Sequence, residues 1–151
     1  MKKLVFFLMA LPLVMLVSCE ERESHNLHPE EFIGTWEAEK VSIKEYRYSG
    51  TSFTSSQILH EIEFEAGDAP LLILNANGTY EQKQEGEETI IGTWSVNSRG
   101  RLIAVRNGTN DKTEFFGTRV FEDVLSLSHW ISEPVDGLRI AEEYVYRRII
   151  W

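Results

Sequence analysis

Four histidines, one cysteine and a set of carboxylates are the side chains that could carry chemistry in this 151-residue chain. His60 and His129 stand in alternating apolar segments, next to Ile62 and Leu127 respectively. A histidine in such a place is either a core residue satisfied by one hydrogen bond or a polar group that orients a small molecule in an apolar pocket. Both interpretations predict that the two side chains point to the protein interior.

The other two histidines, His25 and His28, lie near the N terminus with Glu30. A weak metal site could use these three residues, but a polar tail provides no fixed geometry and their spacing matches no known type of site. We therefore predict no metal site and no cofactor.

The sequence offers no recognisable catalytic arrangement. It contains no Gly-x-Ser-x-Gly turn and no phosphate-binding glycine loop, and no nucleophile stands out beside a base. Glu142 is the one carboxylate whose position in an alternating strand places it on the same face as apolar neighbours, Ile140 and Tyr144. A buried glutamate could bind a ligand or exchange a proton, and a place at the rim of the fold is the simpler explanation. We predict no catalytic residues, and an enzyme is the least supported class.

The only cysteine, Cys19, follows an uncharged run from Leu4 to Val17 that is preceded by two lysines. A basic start, an apolar centre and a small residue before the cleavage point are typical of a secretory signal. The run is interrupted by proline and is too short for the roughly 30 Å hydrocarbon core of a bilayer. We predict that residues 1–18 are a cleaved signal peptide.

The tetrapeptide Leu16-Val17-Ser18-Cys19 resembles a bacterial lipobox, in which the cysteine thiol receives a diacylglyceryl group and becomes the first mature residue. The resemblance implies that Cys19 is lipidated. Two or three acyl chains such as palmitate would then anchor the protein to a membrane, because each buried methylene contributes roughly 0.8 kcal/mol. An ordinary signal peptide with a chance cysteine is the alternative. A single cysteine leaves no internal disulfide to propose.

The chain is acidic, with 15 Lys and Arg against 24 Asp and Glu and a net charge of −9. Loss of residues 1–18 makes it more negative, since they contain two lysines and no acid. Nucleic-acid binding depends on clustered Lys and Arg, and no basic cluster here is longer than Arg147-Arg148. We predict no nucleic-acid partner.

The acidic start Glu20-Glu21-Arg22-Glu23 is similar to the acidic signals of surface-exposed lipoproteins of Bacteroidota, and a plain solvated tether explains it equally well.

The composition divides the rest of the chain into a flexible tether, residues 19–29, and one domain, residues 30–151. In the domain, short runs of β-branched and aromatic residues alternate with Asn-Gly and related turns. The pattern predicts a helical turn at 29–32 and strands at 34–47, 57–66, 70–75, 79–85, 89–96, 101–106, 113–121, 124–131 and 138–149. The polar stretch 48–57 is predicted to be a long loop or a disordered connector.

Alternation within these strands predicts that each has one buried face, and residues 58–66 alternate most regularly. A sheet with one solvent-exposed face buries its other face either by stacking on a second sheet or by closing on itself, and closure removes the free edge strands. Consecutive hairpin-linked strands therefore favour an all-β, antiparallel up-and-down β-barrel of about 8–9 strands. A β-sandwich is the alternative.

The triplet Gly34-Thr35-Trp36 resembles the Gly-x-Trp signature of the first strand in lipocalins, and Gly92-Thr93-Trp94 repeats it. With the Asn77-Gly78 turn between the copies and an aromatic-basic last strand, residues 29 to 151 are similar to lipocalin-like domains of Bacteroidota lipoproteins. The resemblance implies that Trp36 packs across one end of the barrel beneath an arginine of the last strand. Arg148 is the first candidate for this role and Arg147 the second.

The resemblance also implies a function: an outer-membrane lipoprotein, on its periplasmic or cell-surface face, whose barrel binds a small apolar or amphiphilic ligand. Inward parity predicts the ligand-binding side chains to be His60, Tyr80, Trp94, Phe115, His129 and Tyr144. A carrier of this kind needs a cavity of roughly a few hundred Å³. A small barrel can also be packed solid by its side chains. In that case the protein is an interaction module that engages another envelope protein and binds no small molecule.

Overall fold

The structure, a computed structural model, describes residues 27–50 and 52–150. The predicted signal peptide, Cys19, His25 and the first part of the predicted tether lie outside the described residues. A helical turn, α1 (Pro29–Phe32), precedes ten strands. The strands are β1 (Gly34–Ser49), β2 (Ser52–Glu63), β3 (Leu71–Leu74), β4 (Thr79–Lys83), β5 (Ile90–Val96), β6 (Leu102–Arg106), β7 (Lys112–Glu114), β8 (Gly117–Phe121), β9 (Val124–Trp130) and β10 (Leu138–Ile149).

All ten strands belong to one antiparallel sheet, so the predicted all-β antiparallel class is confirmed. The order across the sheet is β7-β6-β5-β4-β3-β1-β10-β9-β8, with β2 paired to β1 outside this path. The ten strands exceed the predicted number because the segment predicted as one strand at 113–121 is divided between β7 and β8 at Phe115 and Phe116. The two ends of the sheet order, β7 and β8, are therefore neighbours in the chain.

The first strand organises the sheet because it is long enough to pair with three others. Its 16 residues pair with β10 from Thr35 opposite Ile149 to Arg47 opposite Leu138. On its other side β1 pairs with β3 up to Glu37 and with β2 from Lys40 onward. A register shift between Ala38 and Lys40 marks the change. The β1–β2 hairpin therefore extends the sheet beyond the end of β3.

Two predictions about this hairpin are wrong. The polar stretch 48–57 is neither a long loop nor a disordered connector, since β1 continues to Ser49 and β2 begins at Ser52. The face of residues 58–66 predicted to be buried is exposed over the length of β2, including Ile62 at 45%, and only Phe64, just beyond the strand, is partly buried against the core. Alternation in a sequence distinguishes the two faces of a strand, but the apolar face is buried only if another element packs on it. Among the described strands, β2 pairs only with β1.

One hydrophobic core lies on the inward face of the remaining strands. It is formed by Phe32, Trp36, Ala38, Ala69, Leu72, Leu74, Tyr80, Trp94, Leu102, Leu125, Leu127 and Tyr146. Phe32 of α1 and Trp36 of β1 are both fully buried, and the Trp36 indole Nε1 donates a hydrogen bond of 2.8 Å to the Phe32 carbonyl. The short helical turn is therefore part of the core and packs against β1 and β5.

Arg148, rather than its neighbour Arg147, is the residue that stacks on Trp36. Its guanidinium carbon lies 4.2 Å from the Trp36 ring centroid. Its two terminal nitrogens donate to the carbonyls of Ile33 and Glu31 at 2.8 and 2.7 Å. Gly34 has a φ of +147°, and a Cβ there would lie 3.1 Å from the Arg148 guanidinium. Glycine therefore provides both the backbone conformation and the space for the arginine.

We expect Arg148→Ala to lower the free energy of unfolding by about 2–3 kcal/mol, because it removes the cation from the indole face and leaves two backbone carbonyls without their charged donor. The control is Arg147→Ala, which removes an exposed pair with Glu39. Exposed pairs contribute less than about 1 kcal/mol. Urea denaturation of both variants tests this, and equal losses would contradict the assignment.

Candidate functional site

A pocket of about 140 Å³ opens on the inward face of the sheet. Six strands and the β7–β8 connection contribute to it. Its lining residues are Leu72, Leu74, Tyr80, Gln82, Leu102, Ala104, Thr113, Phe115, Leu127, His129, Tyr144 and Tyr146. The volume is below the range of a few hundred Å³ expected for a carrier of drug-sized ligands. It is similar to that of apolar cavities of about 150 Å³ that bind a molecule as small as benzene.

The pocket has an apolar floor and a more polar, partly exposed rim. The floor consists of buried side chains, among them Leu74, Leu102 and Leu127. Gln82, Thr113 and His129 are partly exposed and are the polar side chains of the rim. The arrangement suits a ligand that places an apolar body inside and a polar group at the opening.

Strand register explains how distant parts of the chain meet in this pocket. Tyr80 of β4 lies opposite Leu74 of β3, and Tyr144 of β10 lies opposite Leu127 of β9. Thr113 of β7 lies opposite Ala104 of β6. Strands near opposite ends of the sheet order thus face the same space, so the sheet is strongly curved.

A hydrogen-bonded group of three side chains, His129, Glu142 and Tyr144, lies beside the rim. The Tyr144 hydroxyl donates to Glu142 Oε2 at 2.7 Å, and His129 Nε2 lies 3.1 Å from the same oxygen. The strand register places Glu142 directly opposite His129. An ionised carboxylate only accepts hydrogen bonds, so His129 Nε2 is the donor in this contact.

The hydrogen bond from His129 lowers the pKa of Glu142 below its ordinary value, and the bond from Tyr144 acts in the same direction against the effect of burial. Burial raises the pKa of Tyr144, and the neighbouring Glu142 carboxylate raises it further. At neutral pH the group therefore consists of a carboxylate and a protonated phenol. A fixed negative charge stands next to His129 at the pocket rim.

These shifts predict a pH dependence. A carboxylate whose pKa is lower in the folded state stabilises the protein above its unfolded pKa, and this stabilisation is lost as the pH falls through the folded pKa. We expect Glu142→Gln to be less stable than the wild type at about pH 5, with a difference that shrinks toward about pH 3. Urea denaturation at both pH values measures it, and Glu88→Gln, at an exposed position, controls for the loss of one charge. A difference independent of pH would contradict the role given to Glu142.

The structure brings four of the six predicted ligand-binding residues into one pocket: Tyr80, Phe115, His129 and Tyr144. The His129 ring lies 5.4 Å from the Phe115 ring and stacks with Tyr144 at 6.2 Å. Their role in binding stays a prediction.

The other two predicted residues lie elsewhere. His60 is exposed on β2, so the prediction that it points to the interior is wrong, because nothing among the described strands covers that face. Trp94 is buried in the core, but it packs against Phe32 and donates through Nε1 to the Asn75 carbonyl at 3.0 Å. Its polar atom is thus used by the fold.

Sequence reasoning missed Gln82 and Thr113, which complete the polar rim. Both have inward parity, Gln82 two residues after Tyr80 and Thr113 two residues before Phe115. A polar residue near a strand end is usually solvated, so parity alone gave no reason to select them.

Within residues 27–50 and 52–150, no group of three His, Cys, Asp or Glu side chains is placed to hold a metal ion. No helix of that part of the chain is long and apolar enough to cross a bilayer. Comparison with protein-family models and with curated proteins finds no match to the chain.

Proposed function

We propose that the protein is a lipid-anchored lipoprotein of the cell envelope, with a lipocalin-like barrel that binds one small, neutral amphiphilic molecule. The observation that carries the proposal is the 140 Å³ pocket, which combines an apolar floor with a polar rim. Small-molecule sites have this composition, with few polar groups and a mostly apolar wall.

The barrel part of the proposal is supported by a hydrogen bond between β6, which pairs with the end strand β7, and β8 at the other end of the sheet order. The Phe115 amide donates to the Leu102 carbonyl at 3.0 Å, and the Leu102 amide donates to Thr118 Oγ1 at 3.2 Å. Phe115 follows β7, whereas Thr118 belongs to β8, so β6 approaches both ends of the sheet order. A closed sheet would remove the free edges that β7 and β8 otherwise present.

The size of the pocket limits the ligand's apolar part. A space of about 140 Å³ accommodates a single ring or a short branched chain, by comparison with benzene in a cavity of about 150 Å³. Tyr80, Phe115 and Tyr144 supply aromatic walls. We infer that a ligand with a larger apolar body would leave part of it outside the pocket.

The charge at the rim limits the ligand's polar part. No lysine or arginine occurs among the twelve residues that line the pocket in the described part of the chain. The ionised Glu142 carboxylate lies 3.1 Å from His129 at the rim. An anionic head group, such as the carboxylate of a fatty acid, would meet repulsion from this carboxylate, and no lysine or arginine of the described pocket lining offsets it. A hydroxyl, carbonyl or amide group instead finds Gln82, Thr113 and His129 as hydrogen-bond partners.

Native mass spectrometry of residues 20–151, after incubation with a lipid and metabolite extract of the source cell, tests the proposal. We expect a reproducible adduct that is lost in Tyr144→Ala and His129→Ala but retained in Val145→Ala, on the outward face of the same strand. Modest losses of stability should accompany the first two changes. Bare protein throughout, with Tyr144→Ala destabilised by about 3–5 kcal/mol, would instead indicate a solidly packed interior and an interaction module.

The anchor is a separate prediction, on a residue outside the described range. Cys19→Ser should move the protein from the membrane fraction to the soluble fraction, because the serine hydroxyl does not accept the diacylglyceryl group that the proposed lipobox directs to a thiol. Cell fractionation and immunoblotting measure the change, with Ser18→Ala as a control that keeps the thiol. A Cys19→Ser protein that stays with the membranes would refute lipidation.

A further inference from the structure

The chain contains two identical Asn-Gly-Thr tripeptides, Asn77-Gly78-Thr79 and Asn107-Gly108-Thr109. An asparagine followed by glycine is prone to spontaneous deamidation, because glycine has no side chain that would hinder its backbone nitrogen from attacking the asparagine amide. The first tripeptide lies at the connection from β3 to β4, and the second lies in the connection from β6 to β7. Since the reacting residues and the residue after them are the same, a large difference in reactivity would come from the fold.

The first tripeptide is held by hydrogen bonds that the reaction would have to break. The Gly78 amide, whose nitrogen would attack, donates to the Asn75 carbonyl at 3.0 Å. The Asn77 side-chain oxygen Oδ1 accepts hydrogen bonds from the Thr79 amide at 3.0 Å and from the Thr79 hydroxyl at 2.7 Å. The Gly78 carbonyl also accepts a hydrogen bond of 2.8 Å from the Trp94 amide. Both the nucleophile and the group that it would attack are therefore engaged in other contacts.

The corresponding groups of the second tripeptide have no such contacts. Among the described residues, no acceptor bonds to the Gly108 amide and no hydrogen bond holds the Asn107 side chain. Both residues are exposed, and nothing lies within 4 Å of a Cβ built on Gly108. The turn is fixed by its flanks instead, where the Asn107 amide donates to the Ile91 carbonyl at 2.9 Å. Asn107 can therefore react without first releasing either reacting group from a hydrogen bond.

We propose that Asn107 is a site of spontaneous deamidation in the folded protein and that the fold protects Asn77 from the same reaction. The Gly108 backbone nitrogen loses its proton and attacks Cγ of Asn107. The new C–N bond closes a succinimide ring, and the side-chain nitrogen of Asn107 leaves as ammonia. Water then opens the ring at either carbonyl to give aspartate or isoaspartate. The net change consumes water and releases ammonia, with no oxidation or reduction.

The modification changes both the charge and the backbone of the β6–β7 connection. Either product adds a carboxylate to a chain whose net charge is already −9. In isoaspartate the main chain runs through the former side chain, so the backbone becomes one atom longer. The two strands that the connection joins carry Ala104 and Thr113, which line the pocket. The reaction itself requires neither a ligand nor a membrane anchor, so its test is independent of the proposed function.

Peptide mapping by mass spectrometry tests the proposal on the full chain, purified in mild detergent and aged in mildly alkaline buffer. Digestion at mildly acidic pH keeps further reaction slow. In the folded chain, Asn107 should convert at least about tenfold faster than Asn77, a ratio that corresponds to about 1.4 kcal/mol. In concentrated urea, where neither tripeptide is held by the fold, the two rates should become similar. Isoaspartate should accompany aspartate at Asn107, because water opens the ring at either carbonyl.

Gly108→Ala tests the mechanism, because a Cβ on the attacking residue hinders its nitrogen. Conversion at Asn107 should slow at least about tenfold in this variant, whereas conversion at Asn77 should match that of the wild type. Gly108 has a φ of +75°, so alanine is strained there, and thermal denaturation shows whether the variant is folded. The proposal is overturned by equal conversion of the two asparagines in the folded chain, by an unreacted Asn107, by a difference that persists in urea, or by a folded Gly108→Ala variant that reacts like the wild type.

Discussion

Gly92→Ala is expected to destabilise the protein by about 3 kcal/mol or more, although it adds a single methyl group. A Cβ at Gly92 would lie 2.5 Å from Cε1 of Tyr80 and deep inside van der Waals contact with the Val105 carbonyl oxygen. Both obstacles are fixed, since Tyr80 is buried in the core and Val105 pairs with the next residue of β5. The two strands would have to separate, or the Tyr80 ring would have to leave the pocket wall.

Urea denaturation of Gly92→Ala and Gly86→Ala separates this effect from the general cost of replacing a glycine. Gly86 has a φ of +77° and nothing within 4 Å of an added Cβ, so alanine there incurs only the left-handed backbone strain of about 1 kcal/mol. A Gly92→Ala variant no less stable than Gly86→Ala would show that Tyr80 does not pack against β5 as described. The position assigned to Tyr80 in the pocket wall would then be wrong.

Trp36→Ala is expected to lower the free energy of unfolding by about 3–5 kcal/mol, the range for a fully buried large aromatic residue. Trp36 has no exposed surface, and its loss would leave the Phe32 carbonyl without its donor and the Arg148 guanidinium without its ring. The loss would therefore affect α1, β1 and β10 together.

Two further variants identify which part of the indole matters. Trp36→Phe keeps a ring but not the Nε1 donor, so it should cost less than the alanine change, about 1–3 kcal/mol. Ile91→Ala, on an exposed side chain of β5, should change stability by less than about 1 kcal/mol. Thermal and urea denaturation measure all three, and a Trp36→Ala loss as small as that of Ile91→Ala would contradict the core assignment.

Local sequence chemistry was sufficient for most of the strands. The last strand was predicted at 138–149 and is Leu138–Ile149, because alternating aromatic and charged residues follow a clear Asp136-Gly137 turn. The Asn77-Gly78 turn precedes β4 as predicted, with Gly78 at a φ of +80°. Turn residues that require positive φ mark strand ends without reference to any distant part of the chain.

Features that depend on distant contacts were not predictable in the same way. Phe115 and Phe116 read as the middle of one strand, but they separate β7 from β8 and point to different neighbours, Phe115 to His129 and Phe116 to Trp130. The alternation of β2 is as clean as that of a buried strand, yet no described strand covers it. Alternation with a period of two identifies the local strand conformation, but it does not show whether another element packs against the apolar face.

The candidate site also combines features that local sequence could predict with features that depend on distant contacts. Inward parity placed Tyr80, Phe115, His129 and Tyr144 on interior faces, and these four do meet in one pocket. Parity could not place Gln82 or Thr113 at its rim. It also could not show that Glu142 lies opposite His129, since this depends on the register between β9 and β10. Register across strands is set by turn geometry and packing together.

The most direct test of the account is an NMR chemical-shift titration of ¹⁵N-labelled residues 20–151 with phenol and, separately, benzoate. We predict that phenol, a neutral ring with one hydroxyl, shifts the amide signals around Leu102, Leu127 and His129, and that benzoate does not. Ala104→Leu, which fills the pocket, should abolish the phenol shifts, whereas Val105→Leu on the outward face of the same strand should keep them. Absence of phenol shifts at these residues, or shifts that persist in Ala104→Leu, would contradict a ligand-binding pocket.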